Sequence, residues 1–144
     1  MKTLRYNLSL LRKTRASFDI KIVHSLKLMF TVYNGAASPS RWIRLNPLSL
    51  FSKKYPALLL HEIGHIESPE GFDDWDTVAE LAAWEWALEY MHKQGIIMYG
   101  STLSYIYSCY ISYLTELPSK RLRALALSEF TRTACDKFIN PKEK

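Results

Sequence analysis

Apolar positions along this chain change their period several times, and each change marks a candidate element. Residues 7–15 suit a short helix with Leu4, Leu8 and Leu11 on its inner face. From residue 26 the period becomes two. Leu28, Phe30 and Val32 alternate with Met29, Thr31 and Tyr33, the mark of a strand. Asn34-Gly35 is a turn signal, and residues 36–40 extend a loop through Pro39. Residues 41–45 form a second strand. It stops at Asn46-Pro47, because proline cannot donate to a ladder and the residue before it leaves the helical region. The two strands are expected to pair as an antiparallel hairpin.

Helical spacing then takes over. Ser52 is a candidate N-cap, and Pro56 is tolerated in the first turn of a helix over 53–67. Ser68-Pro69-Glu70-Gly71 breaks that helix, and a loop runs to Trp75. A second helix is expected over 76–93, stopped by Gly95. A third spans 101–117. Its Leu103, Ile106, Tyr110, Ile111 and Leu114 make one stripe, and Ser101, Ser104, Ser108, Ser112 and Thr115 make another, read as packing. Pro118 ends it. Ser119 caps a last helix with Leu122, Leu125, Phe130 and Phe138 inward.

The pattern gives an α+β fold: a small antiparallel sheet packed on a mostly helical body, with a helical C-terminal part. With 144 residues, 48% of them hydrophobic and 23% charged, the chain suits a single globular domain over 1–144. Its core falls at about 26–94 and its C-terminal helices at about 101–138. Two cysteines, Cys109 and Cys135, are too few for a disulfide scaffold and suit a reducing compartment. The basic first 15 residues are followed by no apolar block of signal length, and the uncharged run 95–115 is too rich in serine and tyrosine to span a bilayer. A cytoplasmic protein without a membrane partner is expected, and nothing demands an oligomer.

Net charge is +5, unevenly spread. Residues 1–24 hold six Lys/Arg against one acid, and 117–144 hold seven against three. Nine acids fall between Glu62 and Glu89, a stretch with no Lys or Arg. Basic ends without a recognisable helix-turn-helix, zinc-finger or RNP pattern argue against nucleic acid as the partner. The acidic middle holds the chemistry.

His61-Glu62-Ile63-Gly64-His65 is H-E-x-x-H on a predicted helix. Residues four apart share a helix face, so two imidazoles can meet one zinc ion, Zn2+. Glu62 sits beside them, where it can act as the base toward an activated water. A catalytic zinc needs a third protein ligand. The pattern H-E-x-x-H-x-x-G-x-x-H is excluded, since position 68 is serine and position 71 glycine. A glutamate from the next helix is the remaining option, and Glu80 is the best placed, with Ala82 and Ala83 small enough for close helix approach. Glu80 also fits a T-x-x-E capping box with Thr77. Glu85, Asp76 and His92 are weaker ligand candidates. Tyr55, Tyr99, Tyr105 and His92 are candidate oxyanion stabilisers. Asp73, Asp74 and Asp76 are candidates to support the histidines, with Asp76 alternatively an N-cap.

An apolar lead into HEIGH, then Glu80-Leu81-Ala82-Ala83-Trp84-Glu85-Trp86-Ala87, resembles the ImmA/IrrE group of metallopeptidase-like proteins over about residues 28–92. The resemblance implies a zincin-like body of the gluzincin type. It matches His61, His65 and Glu80 to the metal ligands and Glu62 to the general base. It also implies a strand, here 41–45, along the cleft before the metal helix. Trp84 stands where that family often has asparagine, and Trp86 where it has phenylalanine. Some members act on a repressor, so a protein or peptide substrate is implied, a transcriptional regulator among them.

The function expected is that of a zinc-dependent metallopeptidase, a hydrolase in which Glu62 activates water and a sheet edge at 41–45 holds an extended peptide. Two alternatives stand beside it: a catalytically inactive zincin-like binding or regulatory module, and a basic nucleic-acid-binding protein.

Overall fold

A computed structural model describes residues 2–30, 35–96, 98 and 100–130, with positions 29 and 30 as backbone only. The architecture is α+β. The described residues form helices α1 (Lys2–Ser17), α2 (Tyr55–Glu67), α3 (Asp76–Lys93), α4 (Gly100–Leu114) and α5 (Lys120–Phe130), and strands β1 (Lys21–His24), β2 (Gly35–Ser38) and β3 (Trp42–Leu45). No described helix is long and apolar enough to cross a membrane.

The helices follow their periodicity. In α1 the buried face is Asn7, Leu10, Leu11 and Thr14, the spacing of one helix face. That face is rotated from the expected one, and a polar anchor explains it. Asn7, 1% exposed, donates to the Leu50 and Ser52 carbonyls at 2.8 and 2.9 Å and ties α1 to the 3₁₀ turn Pro47–Phe51. On α4, Leu103, Ile106, Tyr110 and Leu114 are buried, while the serine stripe faces water rather than a neighbouring helix. The Ser119 hydroxyl accepts from the Leu122 amide at 3.1 Å and caps α5. Leu122 and Leu125 are 44% and 58% exposed, contrary to expectation, and Phe130 carries the α5 contact. Phe138 and Cys135 lie outside the described residues.

The sheet departs further. Its order is β1-β3-β2, with β1 parallel and β2 antiparallel to β3, so it is mixed rather than antiparallel. The expected strand from Leu28 is instead a 3₁₀ turn over Leu26–Phe30, and positions 31–33 lie outside the described residues. The antiparallel partner of β3 is Gly35–Ser38, a segment that reads as loop because Gly-Ala-Ala-Ser has little strand propensity. Packing against α2 and pairing with β3 decide its conformation. The hairpin turns through Pro39, Ser40 and Arg41. The Arg41 amide bonds to the Ser38 carbonyl at 3.0 Å and its φ is 62°, the left-handed third position of a three-residue hairpin loop. Glu67 on α2 pairs with the Arg41 guanidinium at 2.6 Å and pins that turn to the end of the helix.

Because β3 is paired on both sides, it offers no edge to a peptide. Among the described residues, the free edge beside α2 is β2. One core joins all these layers, with Ile22, Ile43, Leu45, Leu59, Leu60, Ile63, Leu88 and Ile106 at its centre.

Candidate metal centre

Helix α2 is buried along most of its length, and it carries His61, Glu62 and His65 toward α3. The two helices approach to backbone contact. A Cβ placed on Gly64 would lie 2.5 Å from the Ala83 carbonyl oxygen, a separation side chains do not tolerate. Of the two alanines expected to allow this, Ala83 sits at the contact. Glu80 lies one turn earlier on α3 and therefore faces the histidines.

The polar atoms converge. His61 Nε2 and His65 Nε2 are 3.2 Å apart. One Glu80 oxygen is 2.9 Å from His61 Nε2, and the other is 3.3 Å from His65 Nε2. Among the described residues these three side chains form a group whose ligand atoms all lie within 4.8 Å of one another. The group could hold a metal ion, and its nitrogen spacing is compatible with zinc. Two nitrogens held tetrahedrally at the usual zinc–nitrogen length stand roughly 3.3 Å apart, close to the spacing found here.

Proton accounting agrees. His65 Nδ1 lies 2.6 Å from the Gly71 carbonyl, which can only accept. Nδ1 therefore carries a proton; in the charged ring Nε2 also donates, to Glu80, and loss of that proton leaves a lone pair facing the centre. Gly71 is held where only glycine fits, since a Cβ there would overlap the His65 carbonyl. The carbonyl orienting a metal histidine is a familiar arrangement. Sequence reading treated Gly71 only as a helix breaker. Its signal was a glycine six residues past His65, where a short return loop brings backbone over the ring.

His61 is held differently. Its ring packs 4.0 Å from that of Trp84, 31° from parallel, and its buried Nδ1 has no hydrogen-bond partner among the described residues. Trp84 is 3% exposed and positions the ring by stacking, where the resemblance implies an asparagine.

Charge follows from this geometry. Burial alone would raise the Glu80 carboxyl, but hydrogen bonds from His61 and His65 outweigh it and hold it down at about 2. Burial lowers His65, and the bonds to Glu80 and Gly71 more than reverse that, leaving it raised. Burial raises Glu62 above the usual carboxylate range; His61 and His65 oppose the rise, and Glu80 adds to it. An upward-shifted carboxyl is what a base working near neutral pH needs.

No family model, curated protein or solved structure matches this chain.

Other expected roles sort themselves by position. The capping box does not form: Trp75 is the N-cap of α3, Thr77 donates to Glu116 at 2.7 Å, and Glu80 turns to the histidines. Asp76 therefore does not cap α3, and Asp73 accepts from the Trp75 amide at 2.9 Å. Glu85 faces α4, where Tyr110 bonds to it at 2.7 Å, and neither it nor Asp76 nor His92 joins the ligand group. Tyr55 is fully buried, 3.1 Å from His24. Tyr105 lies over Lys54, and Tyr99 is outside the described residues. A cavity of about 410 Å³ opens beside the centre, lined by Glu62, His65 and Glu80, by β2 through Gly35, Ala36 and Ala37, by Gly71, Phe72 and Asp73 of the loop after α2, and by Asp76 and Ala79 of α3. That size is in the range of ligand sites.

Proposed function

We propose that this protein is a zinc-dependent metallopeptidase of the gluzincin type, an ImmA/IrrE-like zincin. One observation carries the reading: two oriented imidazoles and a carboxylate converge beside a cavity that also holds Glu62 and the free edge of a strand. His61, His65 and Glu80 would hold the ion, and the bound ion would supply Lewis acidity and lower the pKa of water. The chain's own residues do the rest. Glu62 takes the proton of the attacking water at its carboxylate and returns it to the leaving nitrogen. Gly71 and Trp84 keep the two imidazoles aimed. The outer edge of β2, unpaired among the described residues, would take an extended peptide as a fourth strand.

The experiment is Glu62→Gln. It should bind zinc as the parent does and lose peptide hydrolysis by at least ~100-fold, read as peptide cleavage by mass spectrometry. Hydrolysis at the parent rate would refute the mechanism. A biological effect that survives the substitution would favour a regulatory module that binds and does not cut.

A further inference from the structure

We propose that the cavity beside the metal centre selects a peptide carrying a lysine or arginine side chain, read by Asp73 and Asp76 against the ring of Phe72. This deepens the peptidase reading and rests on its peptide-binding part.

The lining is one-sided in charge. Glu62, Asp73, Asp76 and Glu80 all line the cavity, and no Lys or Arg among the described residues does. The four are not equivalent. Glu80 is spent on the two histidines. Glu62 has its carboxyl deep in the wall, with no hydrogen bond or ion pair to a described residue, and serves as the base. Asp73 uses Oδ1 for the Trp75 amide and keeps its second oxygen. Asp76 makes no side-chain hydrogen bond or ion pair to a described residue, and it stands in the first turn of α3. Two carboxylates thus stand at the mouth of the cavity, and no Lys or Arg among the described residues lines it with them.

Phe72 points to what would answer them. Its side chain is 41% exposed, it lines the same cavity, and its ring centroid is 6.0 Å from that of His65. An exposed ring beside two free carboxylates matches a side chain with an apolar stem and a cationic head. A glutamate in the peptide would instead meet like charge in a partly enclosed space, and a purely apolar residue would leave both carboxylates facing it. The chain carries +5 overall, so attraction of a basic peptide has to be local to this cleft.

The test uses three fluorescent hexapeptides differing at one position: lysine, norleucine (a similar stem without the charge) or glutamate. Binding is measured by anisotropy with zinc supplied, in the Glu62→Gln background, which stops turnover and leaves both aspartates in place. At low ionic strength the lysine peptide should bind ~10-fold tighter than the norleucine peptide, and adding Asp73→Asn and Asp76→Asn should bring the two within ~2-fold. Asp73→Asn keeps the Oδ1 acceptor, so the loop stays supported. Equal binding of lysine and norleucine peptides overturns the inference, as does a lysine preference that survives both substitutions, or no binding of any peptide. Cleavage by the protein with Glu62 intact is scored separately. Lysine preference without cleavage sinks hydrolysis and keeps the selectivity, whereas cleavage without charge preference does the reverse.

Discussion

Gly64→Ala sets two opposing effects against each other at the helix crossing that builds the metal centre. In an isolated helix alanine is worth about 1 kcal/mol more than glycine at an interior position. Here the added methyl would stand 2.5 Å from the Ala83 carbonyl oxygen and 3.1 Å from the Ala83 Cα and carbonyl carbon. The opposing atoms are backbone, so no rotamer change can clear them. Relief requires α2 and α3 to part by roughly 0.9 Å to reach ordinary contact. Overpacking of this kind costs about 1–3 kcal/mol, and the rigid partner places it toward the upper end. The net expectation is a loss of about 1–2 kcal/mol, measured by urea unfolding of metal-free protein.

The same displacement reaches the ligands. Glu80 is on the moving helix, His61 and His65 on the other, and zinc–ligand distances tolerate only about 0.2 Å. Zinc affinity, measured by competition with a chelator, should fall at least ~10-fold. Adding Ala83→Gly should not rescue either quantity, because the obstructing atom is a carbonyl oxygen that glycine retains. A Gly64→Ala protein that is more stable than the parent and binds zinc equally would refute the close crossing, and with it the placement of Glu80.

Three further outcomes test separate parts of the structure. Purified without added zinc, the parent should carry about one metal ion per chain by mass spectrometry, and Glu80→Ala prepared beside it should lose that ion. Asn7→Ala should lower stability by about 1–3 kcal/mol in urea unfolding, since it leaves the Leu50 and Ser52 carbonyls without their donor. Glu85→Gln should change a pH dependence. The Tyr110 hydroxyl is 2.7 Å from Glu85 and 2.8 Å from the Ala126 carbonyl, and its single proton cannot serve both acceptors. A protonated Glu85 resolves this by donating to Tyr110. Burial raises the Glu85 carboxyl; the Tyr110 bond opposes the rise, and Glu129, Glu70 and Glu89 add to it. The native state therefore holds this proton at pH values where the unfolded chain has lost it. That contribution is full below the unfolded pKa and is lost as pH rises through the folded one. Parent stability should fall relative to Glu85→Gln as pH is raised from 4.5 to 8 in parallel urea titrations, and a constant difference would contradict the shared-proton account.

What could be read from the chain beforehand divides along the range of the forces involved. His61, Glu62 and His65 share a face because of helix geometry alone, so their convergence needs no tertiary information. Helix α3 matched its expected bounds, with apolar spacing throughout and Gly95 just past its end. Even Glu80 was within reach, because glycine and alanine at the crossing leave few other ways to bring α3 onto α2. The strands were not legible for the opposite reason. Lys21-Ile22-Val23-His24 and Gly35-Ala36-Ala37-Ser38 are four residues each, too short for a period, and each is a strand only because β3 lies beside it. The alternation at Leu28 and Phe30, locally more strand-like, was overridden by a 3₁₀ turn. This division has a functional consequence. The candidate metal ligands and base sit on the legible helices, whereas the rest of the cavity wall comes from β2, from the loop between α2 and α3 and from the first turn of α3. The proposed chemistry could therefore be inferred from spacing, but the proposed choice of peptide rests on Phe72, Asp73 and Asp76, whose placement exists only once α2 and α3 have packed. Substitutions in that loop should alter which peptide is bound while leaving zinc affinity intact, and substitutions at the Gly64–Ala83 crossing should alter both.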